Sequence, residues 1–282
     1  MERVTDVYGV RDIQEQSFAI LEFLDKVCRE NRITYYLAYG TLLGAVRHGG
    51  FIPWDDDVDV WMKREDYEKL LSYMRMCNAD ERFVLNEGVY KPKGDRPAEF
   101  QMRILDLTGT ITRAYAGKTI EVHPWIDIFA LDSFPEGKRT QFLKKFKRRL
   151  FLYKFARCKN FLIHSNSFFG KMNKIVYTLH QKCKLFFFVS EKRCERRVVR
   201  HLTRYKGMPS KEYFCYAAVY LPKPEKCFFP SECFGEPREL FFEERVFFVP
   251  NDSHGILTKL YGDYMQLPPE SARRPTHGSA SD

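Results

Sequence analysis

The sequence predicts an α/β (α+β) protein, in which a mixed β-sheet is flanked by helices and a basic helical segment is inserted. Amphipathic patterns with a period of three to four residues alternate with short runs of β-branched and aromatic residues. The insertion is indicated by charge, because residues 137–190 contain no Asp or Glu but 14 Lys and Arg. The whole chain has a net charge of +9, so the rest of the chain is mildly acidic.

The first elements follow from periodicity. Apolar positions over residues 13–28 recur every three, four or seven residues, which indicates an amphipathic helix. The aromatic and β-branched run at 33–39 indicates a buried strand. Residues 42–46 suit a short helix or turn, which His48-Gly49-Gly50 ends. Pro53 then favours an extended backbone on the approach to Trp54.

The remaining elements complete the sheet and the insertion. A second helix is predicted over 64–76, and residues 138–205 are typical of basic helices with apolar side chains at helical spacing. Further strands are predicted at 83–85, 100–105, 110–115 and 125–129. We divide the chain into a core (1–135), a basic helical insertion (136–206) and a C-terminal part that completes the core domain (207–282).

Composition excludes several classes of protein. The 44% hydrophobic and 16% aromatic content is that of a globular chain, not a fibrous or disordered one. No apolar run reaches 18 residues, so no membrane span is predicted. The N-terminal residues lack the apolar region of a secretory signal. We therefore expect a cytoplasmic protein, with peripheral contact at the inner face of the cytoplasmic membrane as an alternative.

The eight cysteines are scattered without a C-x-x-C pair, which indicates reduced thiols. Cys227 and Cys233, with Cys215 or His201, are an alternative zinc site. Their spacing matches none of the common zinc patterns.

An acidic run carries the strongest chemical signal. Residues 57–62 alternate acidic or aromatic with apolar side chains, so on a strand Asp57 and Asp59 share one face. Two such carboxylates lie about 7 Å apart along a strand. Oxygen-only ligands favour Mg²⁺ or Mn²⁺ over zinc. The alternative is a solvated turn, against which the apolar flanks Trp54 and Trp61 argue.

Two further features support a phosphate-handling site. Gly40-Thr41 precedes the acidic run, and a glycine turn lets backbone N–H groups approach a phosphate. Asp127 has apolar neighbours on both sides, and a buried carboxylate is costly unless it is paired or binds a cation. Asp127 is therefore a candidate third metal ligand or general base, with an ion pair to an arginine as the alternative.

These residues carry a resemblance to a known family. The run from Tyr36 to Asp59, with Gly40-Thr41-Leu42-Leu43-Gly44 and Ile52-Pro53-Trp54-Asp55-Asp56-Asp57, resembles the signature of the LicD family, which includes bacterial phosphocholine transferases and is related to the fukutin-type enzymes. Other similar segments are Asp127-Ile128-Phe129-Ala130-Leu131-Asp132, Tyr261-Gly262-Asp263-Tyr264-Met265 and Arg274 with His277. The resemblance covers both ends of the chain, whereas the basic middle matches poorly.

The resemblance implies that residues 1–135 are a nucleotidyltransferase-like catalytic core, completed by residues 207–282, that uses a divalent metal, Mg²⁺ or Mn²⁺. The expected donor is a CDP-activated alcohol, most often CDP-choline, and CMP is released. The expected acceptor is a hydroxyl of a cell-surface glycan, such as lipopolysaccharide, teichoic acid or capsule polysaccharide, or of its lipid-linked precursor.

Position by position, the resemblance makes Asp55, Asp57 and Asp59 the metal cluster and Asp127 an additional acid. Tyr39 departs from the family pattern, in which a small residue is usual. Predicted substrate- or phosphate-binding residues are Gly40, Thr41, Arg47, His48, Arg274 and His277. If choline is carried, its ammonium group would need aromatic neighbours, for which the candidates are Trp54, Trp61, Trp125 and Tyr264.

Other readings stay open. The same fold could transfer a nucleotidyl group and release pyrophosphate, or the protein could be a metal-free pseudoenzyme. A non-enzymatic membrane- or nucleic-acid-binding protein would leave the aspartates unexplained, and we expect no nucleic-acid partner. The basic segment is either a solvated helical face or a surface that contacts anionic lipid head groups near a lipid-linked acceptor. Its interleaved aromatic residues favour the contact with lipid.

Overall fold

A computed structural model of the chain describes residues 6–76, 82–86, 100–115, 118–135, 137–157, 190–217 and 224–275. The helices in these ranges are α1 (Arg11–Glu30), α2 (Tyr39–His48), α3 (Arg64–Met76), α4 (Arg139–Arg157), α5 (Glu191–Leu202) and α6 (Ser253–Tyr261). The strands are β1 (Tyr36–Leu37), β2 (Asp59–Lys63), β3 (Phe83–Asn86), β4 (Met102–Asp106), β5 (Ile111–Tyr115), β6 (Lys118–Val122), β7 (Trp125–Phe134), β8 (Glu212–Phe214), β9 (Phe228–Pro230), β10 (Arg238–Phe242) and β11 (Arg245–Val249). The predicted α/β (α+β) class is confirmed.

The ten-residue strand β7 is the centre of a mixed sheet. The strand order is β1-β2-β7-β4-β3, and β8 and β9 extend from the C-terminal end of β7. The β2–β7 pair is parallel, whereas the other pairs are antiparallel. Helices cover the sheet, and β10 and β11 form a separate hairpin. Because β7 is paired along both edges, it fixes the relative positions of the strands that carry the site.

Helix α1 is the amphipathic helix that the sequence predicts. Its residues Ile20, Leu21 and Leu24 are fully buried in the main hydrophobic core. Burial of each such side chain contributes about 1.5–3 kcal/mol relative to exposure. The polar residue Gln14 is also buried, and it serves the site described below.

Two elements begin or end at residues other than those that the sequence predicts. The strand expected at 33–39 contains only Tyr36–Leu37, because Tyr39 has a φ of 42° and begins α2. Gly40 and Thr41 therefore lie in the first turn of a helix. That helix is followed by Gly49, whose left-handed φ of 71° turns the chain so that the N–H of Gly50 donates to the Gly44 carbonyl at 3.4 Å.

The acidic strand also begins later than predicted. Strand β2 starts at Asp59, and Asp57 lies in the extended segment before it. The prediction that both aspartates belong to one strand is wrong at this end.

The basic helices share the main core instead of standing apart from it. Phe142 and Phe146 of α4 are buried, and their rings contact Phe214. Leu150 and Tyr153 are also buried, which confirms the predicted helical spacing. Helix α5 packs against α4, while residues 158–189 of the predicted insertion lie outside the described residues. Among the described helices, none has the length and apolar character needed to cross a membrane.

A buried ion pair joins α3 to β7. Arg64 Nε donates to Asp132 Oδ1 at 2.7 Å, and Arg64 Nη2 donates to Asp132 Oδ2 at 2.9 Å. Both side chains are almost inaccessible, at 10% and 4% exposure. The guanidinium also lies 4.9 Å from the centre of the Tyr67 ring. The pair fixes the start of α3 against the sheet.

Asp132→Ala should lower the free energy of unfolding by about 3–5 kcal/mol, because it leaves a buried guanidinium without its carboxylate. Urea unfolding followed by circular dichroism measures the change. Lys69→Ala is the control, since it breaks an exposed ion pair with Asp66 that contributes less than about 1 kcal/mol. Equal losses in the two variants would contradict the structural role of the buried pair.

Candidate active site

The acidic segment 55–59, called here the acidic loop, is fixed through its backbone. Asp55 N–H donates to the Ile52 carbonyl at 2.9 Å. From α1, Gln14 Nε2 donates to the carbonyls of Asp55 at 2.9 Å and Ile52 at 3.2 Å. The buried amide of Gln14 thus satisfies the carbonyls at the start of the loop, which leaves the carboxylates to project elsewhere.

The start of α2 holds the other end of the acidic loop. Asp59 N–H donates to Thr41 Oγ1 at 2.9 Å, and Ala38 N–H donates to the Asp59 carbonyl at 2.9 Å. The Asp55 carboxylate lies directly against Gly40. A Cβ at position 40 would overlap Asp55 Oδ2 and come within 3.4 Å of its Cγ. Gly40 therefore makes room for a carboxylate at this end of the helix.

Asp127 lies opposite Asp59 in the parallel pairing of β7 with β2. Its Oδ1 accepts from Arg103 Nε at 2.6 Å and Gln101 Nε2 at 3.1 Å. Its Oδ2 accepts from Trp125 Nε1 at 3.0 Å and Arg103 Nη2 at 3.3 Å. Burial alone would raise the pKa of Asp127, but the Arg103 charge and these hydrogen bonds lower it. The carboxylate is held ionised.

The acidic loop itself is crowded with negative charge. Burial raises the pKa of Asp59 well above its usual value, and Asp57, Asp127 and Asp55 raise it further, although Arg103 opposes them. Burial and the neighbouring Asp57 and Asp56 likewise raise the pKa of Asp55. Like charges this close disfavour full ionisation unless a cation joins them. The electrostatics of the loop therefore favour a bound cation.

The donor set fits a cation that is shared with a substrate. Across the described ranges, no three His, Cys, Asp or Glu side chains converge into a metal cage. Mg²⁺ typically uses one or two protein carboxylates and takes its other ligands from phosphates and water. Asp55, Asp57 and Asp59 could supply such carboxylates, whereas each oxygen of Asp127 already accepts protein hydrogen bonds. Among the same described residues, the buried thiols of Cys215, Cys227 and Cys233 belong to no such group either.

Basic groups from α2 and the C-terminal part, and a phenol from α6, lie beside the acidic loop. Arg47 Nη1 donates to the Tyr264 carbonyl at 2.8 Å. Burial lowers the pKa of Arg47, and the nearby Arg273 lowers it further. The Tyr261 hydroxyl has a raised pKa because of burial and because of the charges of Asp59, Asp55 and Asp57. The site thus combines carboxylates, two guanidinium groups and a phenol.

Other predicted binding residues differ in their positions. The His48 ring lies 6.4 Å from the Trp54 ring, and burial and Arg47 lower its pKa. Arg274 is exposed, whereas the guanidinium of its neighbour Arg273 lies 5.6 Å from the centre of the Trp54 ring. His277 lies outside the described residues. Arg273 was not predicted from the sequence, in contrast to the adjacent Arg274.

The candidate aromatic residues have separate roles. Trp61 is fully buried in the core, so the suggestion that it contacts a ligand is wrong. Trp125 Nε1 donates to Asp127, and the Arg103 guanidinium lies 4.6 Å from the centre of the Trp125 ring. Tyr264 accepts from or donates to His254 Nδ1 through its hydroxyl at 2.9 Å. Trp54 is half-buried at the edge of the acidic loop, which leaves it as the best-placed candidate.

Tyr261 and Arg103 are further site residues that the sequence analysis did not assign. Tyr261 belongs to the Tyr261-Gly262-Asp263 segment, and this motif was the available signal. Arg103 and Gln101 are two apart, a spacing that puts both on one face of an extended chain. Their contact with Asp127 depends on the pairing of β4 with β7, which no local pattern predicts.

Comparison with known proteins agrees with this geometry. Residues 32–104 match the family model described as LicD/FKTN/FKRP, nucleotidyltransferase domain. The matched range contains Gly40, Thr41 and the acidic loop. The chain is 29% identical to the lipopolysaccharide cholinephosphotransferase LicD of Haemophilus influenzae, over 95% of this chain and 96% of that protein.

A second relative matches over a shorter range. The human ribitol 5-phosphate transferase FKRP is 56% identical over 65 residues, which are 23% of this chain and 12% of that protein. A family-model match over the acidic loop and a similarity that spans nearly the whole chain agree with each other. The chain thus resembles the LicD family, both in the acidic loop and along most of its length.

Proposed function

We propose that this protein transfers a phospho-alcohol, phosphocholine in the first instance, from a CDP-activated donor to a hydroxyl of a cell-surface glycan or its lipid-linked precursor. The observation that carries the proposal is the acidic loop held against the first turn of α2. Its support from comparison is the similarity to a lipopolysaccharide cholinephosphotransferase along nearly the full length of both chains.

The first turn of α2 is suited to the donor diphosphate. Helix N-termini present unpaired N–H groups and a positive dipole end, which favour phosphate. The N-cap residue Ala38 supplies no side-chain hydrogen bond to these groups. In the proposal, the backbone of Gly40 and Thr41 orients the diphosphate beside the acidic loop.

The proposed metal is Mg²⁺ or Mn²⁺, held by Asp57 and Asp59 with Asp55 beside them. A bound divalent ion would neutralise charge on the diphosphate and orient it. Asp55 is the carboxylate that Gly40 accommodates, so the first turn of α2 positions both the phosphate-facing backbone and one potential ligand.

Arg47 and Arg273 are suited to the charge that develops as the donor breaks. The glycan hydroxyl forms an O–P bond to the alcohol-bearing phosphate, the bond to CMP breaks, and one proton is released. Such a transfer needs mainly positioning and charge stabilisation from the protein. Arg47 is anchored by its hydrogen bond to the Tyr264 carbonyl, which limits its movement during the step.

We assign Asp127 the role of a fixed negative charge and not that of a general base that abstracts a proton. Four hydrogen-bond contacts already occupy its two oxygens. In the proposal, Asp127 fixes the side chains of Arg103 and Trp125 by hydrogen bonds. Its negative charge also acts on the neighbouring carboxylate of Asp59. This replaces the general-base role that the sequence suggested with a positioning role.

The proposal extends to the acceptor and the alcohol. A lipid-linked acceptor would bring the protein to an anionic membrane surface, where the basic helices α4 and α5 would contact head groups. A choline ammonium would contact an aromatic face, and the half-buried Trp54 is the candidate at the edge of the acidic loop. Both points rest on the proposed transfer of a phospho-alcohol.

A second function has one observation in its favour, since the matched family model is described as a nucleotidyltransferase domain. Nucleotidyl transfer would release pyrophosphate, whereas transfer from a CDP-alcohol releases CMP. Chromatography of the products of one turnover separates the two reactions.

Gly40→Ala should weaken Mn²⁺ affinity in the presence of CDP-choline by about 10–100-fold, as changes in groups that orient ligands commonly do. The reason is that the added Cβ would overlap Asp55 Oδ2 and displace that carboxylate. Electron paramagnetic resonance of free Mn²⁺ measures the affinity.

Gly235→Ala is the matched control, because its Cβ would meet no heavy atom closer than 3.9 Å. This variant should bind Mn²⁺ as the wild type does. Unchanged Mn²⁺ affinity in a folded Gly40→Ala variant would show that Asp55 does not belong to the site.

The double variant Asp57→Asn, Asp59→Asn should lose metal-dependent binding of CDP-choline and lower CMP release by about 100-fold or more, since metal stabilisation amounts to several kcal/mol. Calorimetry with CDP-choline and CDP-ribitol, with and without Mg²⁺, also identifies the preferred alcohol.

Glu244→Gln removes one negative charge from the exposed turn between β10 and β11 and is the control for net charge. It should retain binding and turnover. Wild-type protein that binds neither CDP-alcohol with Mg²⁺ present would overturn the proposed donor class, and release of pyrophosphate would establish the nucleotidyl-transfer reading.

A further inference from the structure

A cavity of about 540 Å³ between α4 and α5 is lined mainly by basic residues. It shares no residue with the acidic loop. Five arginines and one histidine line it, together with Leu152 and Cys194: Arg148, Arg149, Arg197, Arg200, His201 and Arg204. No Asp or Glu contributes to the lining. The volume is within the range of small-molecule sites.

The arginines of the cavity are not neutralised by neighbouring acids. Among the described residues, none of the five guanidinium groups forms an ion pair with a carboxylate. The nearby Glu195 of α5 lines a different surface hollow. Burial lowers the pKa of Arg149, and the charges of Arg204, Arg148 and Arg197 lower it further. The cavity therefore concentrates positive charge that a bound anion would relieve.

The base of the cavity is structurally fixed. His201 is only 2% exposed and stacks on the Phe142 ring at 4.2 Å. Its Nε2 lies 3.2 Å from the Phe142 carbonyl, and its Nδ1 contacts the Arg149 guanidinium. Burial lowers the pKa of His201 to about 4, and Arg149 and Arg204 add to this. A neutral imidazole that donates from Nε2 to the carbonyl can accept from Arg149, so it orients that guanidinium.

We propose that the cavity between α4 and α5 binds a phosphate-bearing ligand, with a diphosphate or a phospholipid head group as the two sources of that chemistry. Arginine forks match phosphate oxygens in a bidentate manner. Five converging guanidinium groups call for a ligand with more than one negative charge. The site is separate from the acidic loop and does not depend on the donor proposed above.

The cavity variant Arg148→Gln, Arg197→Gln, Arg200→Gln tests the proposal, because all three side chains are exposed and their loss should not unfold the protein. Inorganic pyrophosphate is the probe, measured by calorimetry with the full chain at physiological salt and without divalent metal. The wild type should bind one equivalent saturably, and the cavity variant should bind at least tenfold more weakly.

The matched control is Lys144→Gln, Lys147→Gln, Arg193→Gln, which removes three positive charges from the exposed surfaces of the same two helices outside the cavity. It should keep the wild-type affinity. Equal weakening in both variants would show only general charge attraction and would overturn the proposal. The absence of saturable binding by the wild type would overturn it as well.

Two further measurements define the ligand and the geometry. Arg149→Lys keeps the charge but loses the fork that His201 orients, so pyrophosphate affinity should fall several-fold. An affinity equal to that of the wild type would contradict the oriented-fork account. Monomeric dihexanoyl phosphatidic acid, whose phosphomonoester carries more than one negative charge, is then added as a competitor: displacement of pyrophosphate assigns the site to a lipid head group, and failure to displace it assigns the site to a soluble phosphate ligand.

Discussion

The repulsion among closely spaced carboxylates is the constraint on which the rest of the site depends. The pairing of β2 with β7 sets Asp59 opposite Asp127, and the acidic loop adds Asp55 and Asp57 to the same region. The fold compensates Asp127 directly through Arg103 and two other donors. The burial and mutual proximity of the loop carboxylates raise the pKa values of Asp55 and Asp59. A site of this kind becomes more stable when a cation and an anionic substrate enter together.

The surrounding structure holds this unfavourable arrangement through neutral hydrogen bonds. Gln14 of α1 binds the carbonyls at the start of the acidic loop, and Thr41 of α2 accepts the N–H of Asp59. Gly40 leaves space for Asp55 because it has no Cβ. These contacts fix the backbone without neutralising the carboxylates. The charge of the loop therefore remains available to a ligand.

Sequence patterns predicted the local elements better than the contacts between distant segments. The alternation around Asp57 and Asp59 and the long family-like run pointed to the acidic loop, and the helical spacing of Phe142 and Phe146 pointed to the buried face of α4. The left-handed φ of Tyr39 was not predicted, because its ring is held by tertiary contacts with Trp61 and Phe129. A local pattern carries no information on such contacts.

Local sequence patterns also do not predict the hydrogen-bond partner of Asp127 or the contacts that the C-terminal part makes at the edge of the acidic loop. Arg103 reaches Asp127 only because β4 pairs antiparallel with β7, and Arg273 reaches Trp54 from more than two hundred residues away along the chain. A carboxylate with apolar neighbours signals that a partner or a cation is needed. Strand pairing decides whether such a carboxylate contacts a protein partner or a cation. In this structure, Asp127 contacts an arginine.

The central claim is that the acidic loop and the first turn of α2 together hold a divalent cation and the diphosphate of a CDP-alcohol. The most direct test is an anomalous difference map from a crystal of the protein grown with Mn²⁺ and CDP-choline. The account predicts a manganese peak about 2.1 Å from oxygens of Asp57 or Asp59 and of the diphosphate, a distance typical of small divalent ions. A bound CDP-choline whose diphosphate lies away from the acidic loop, or a manganese peak only at other residues, would contradict it.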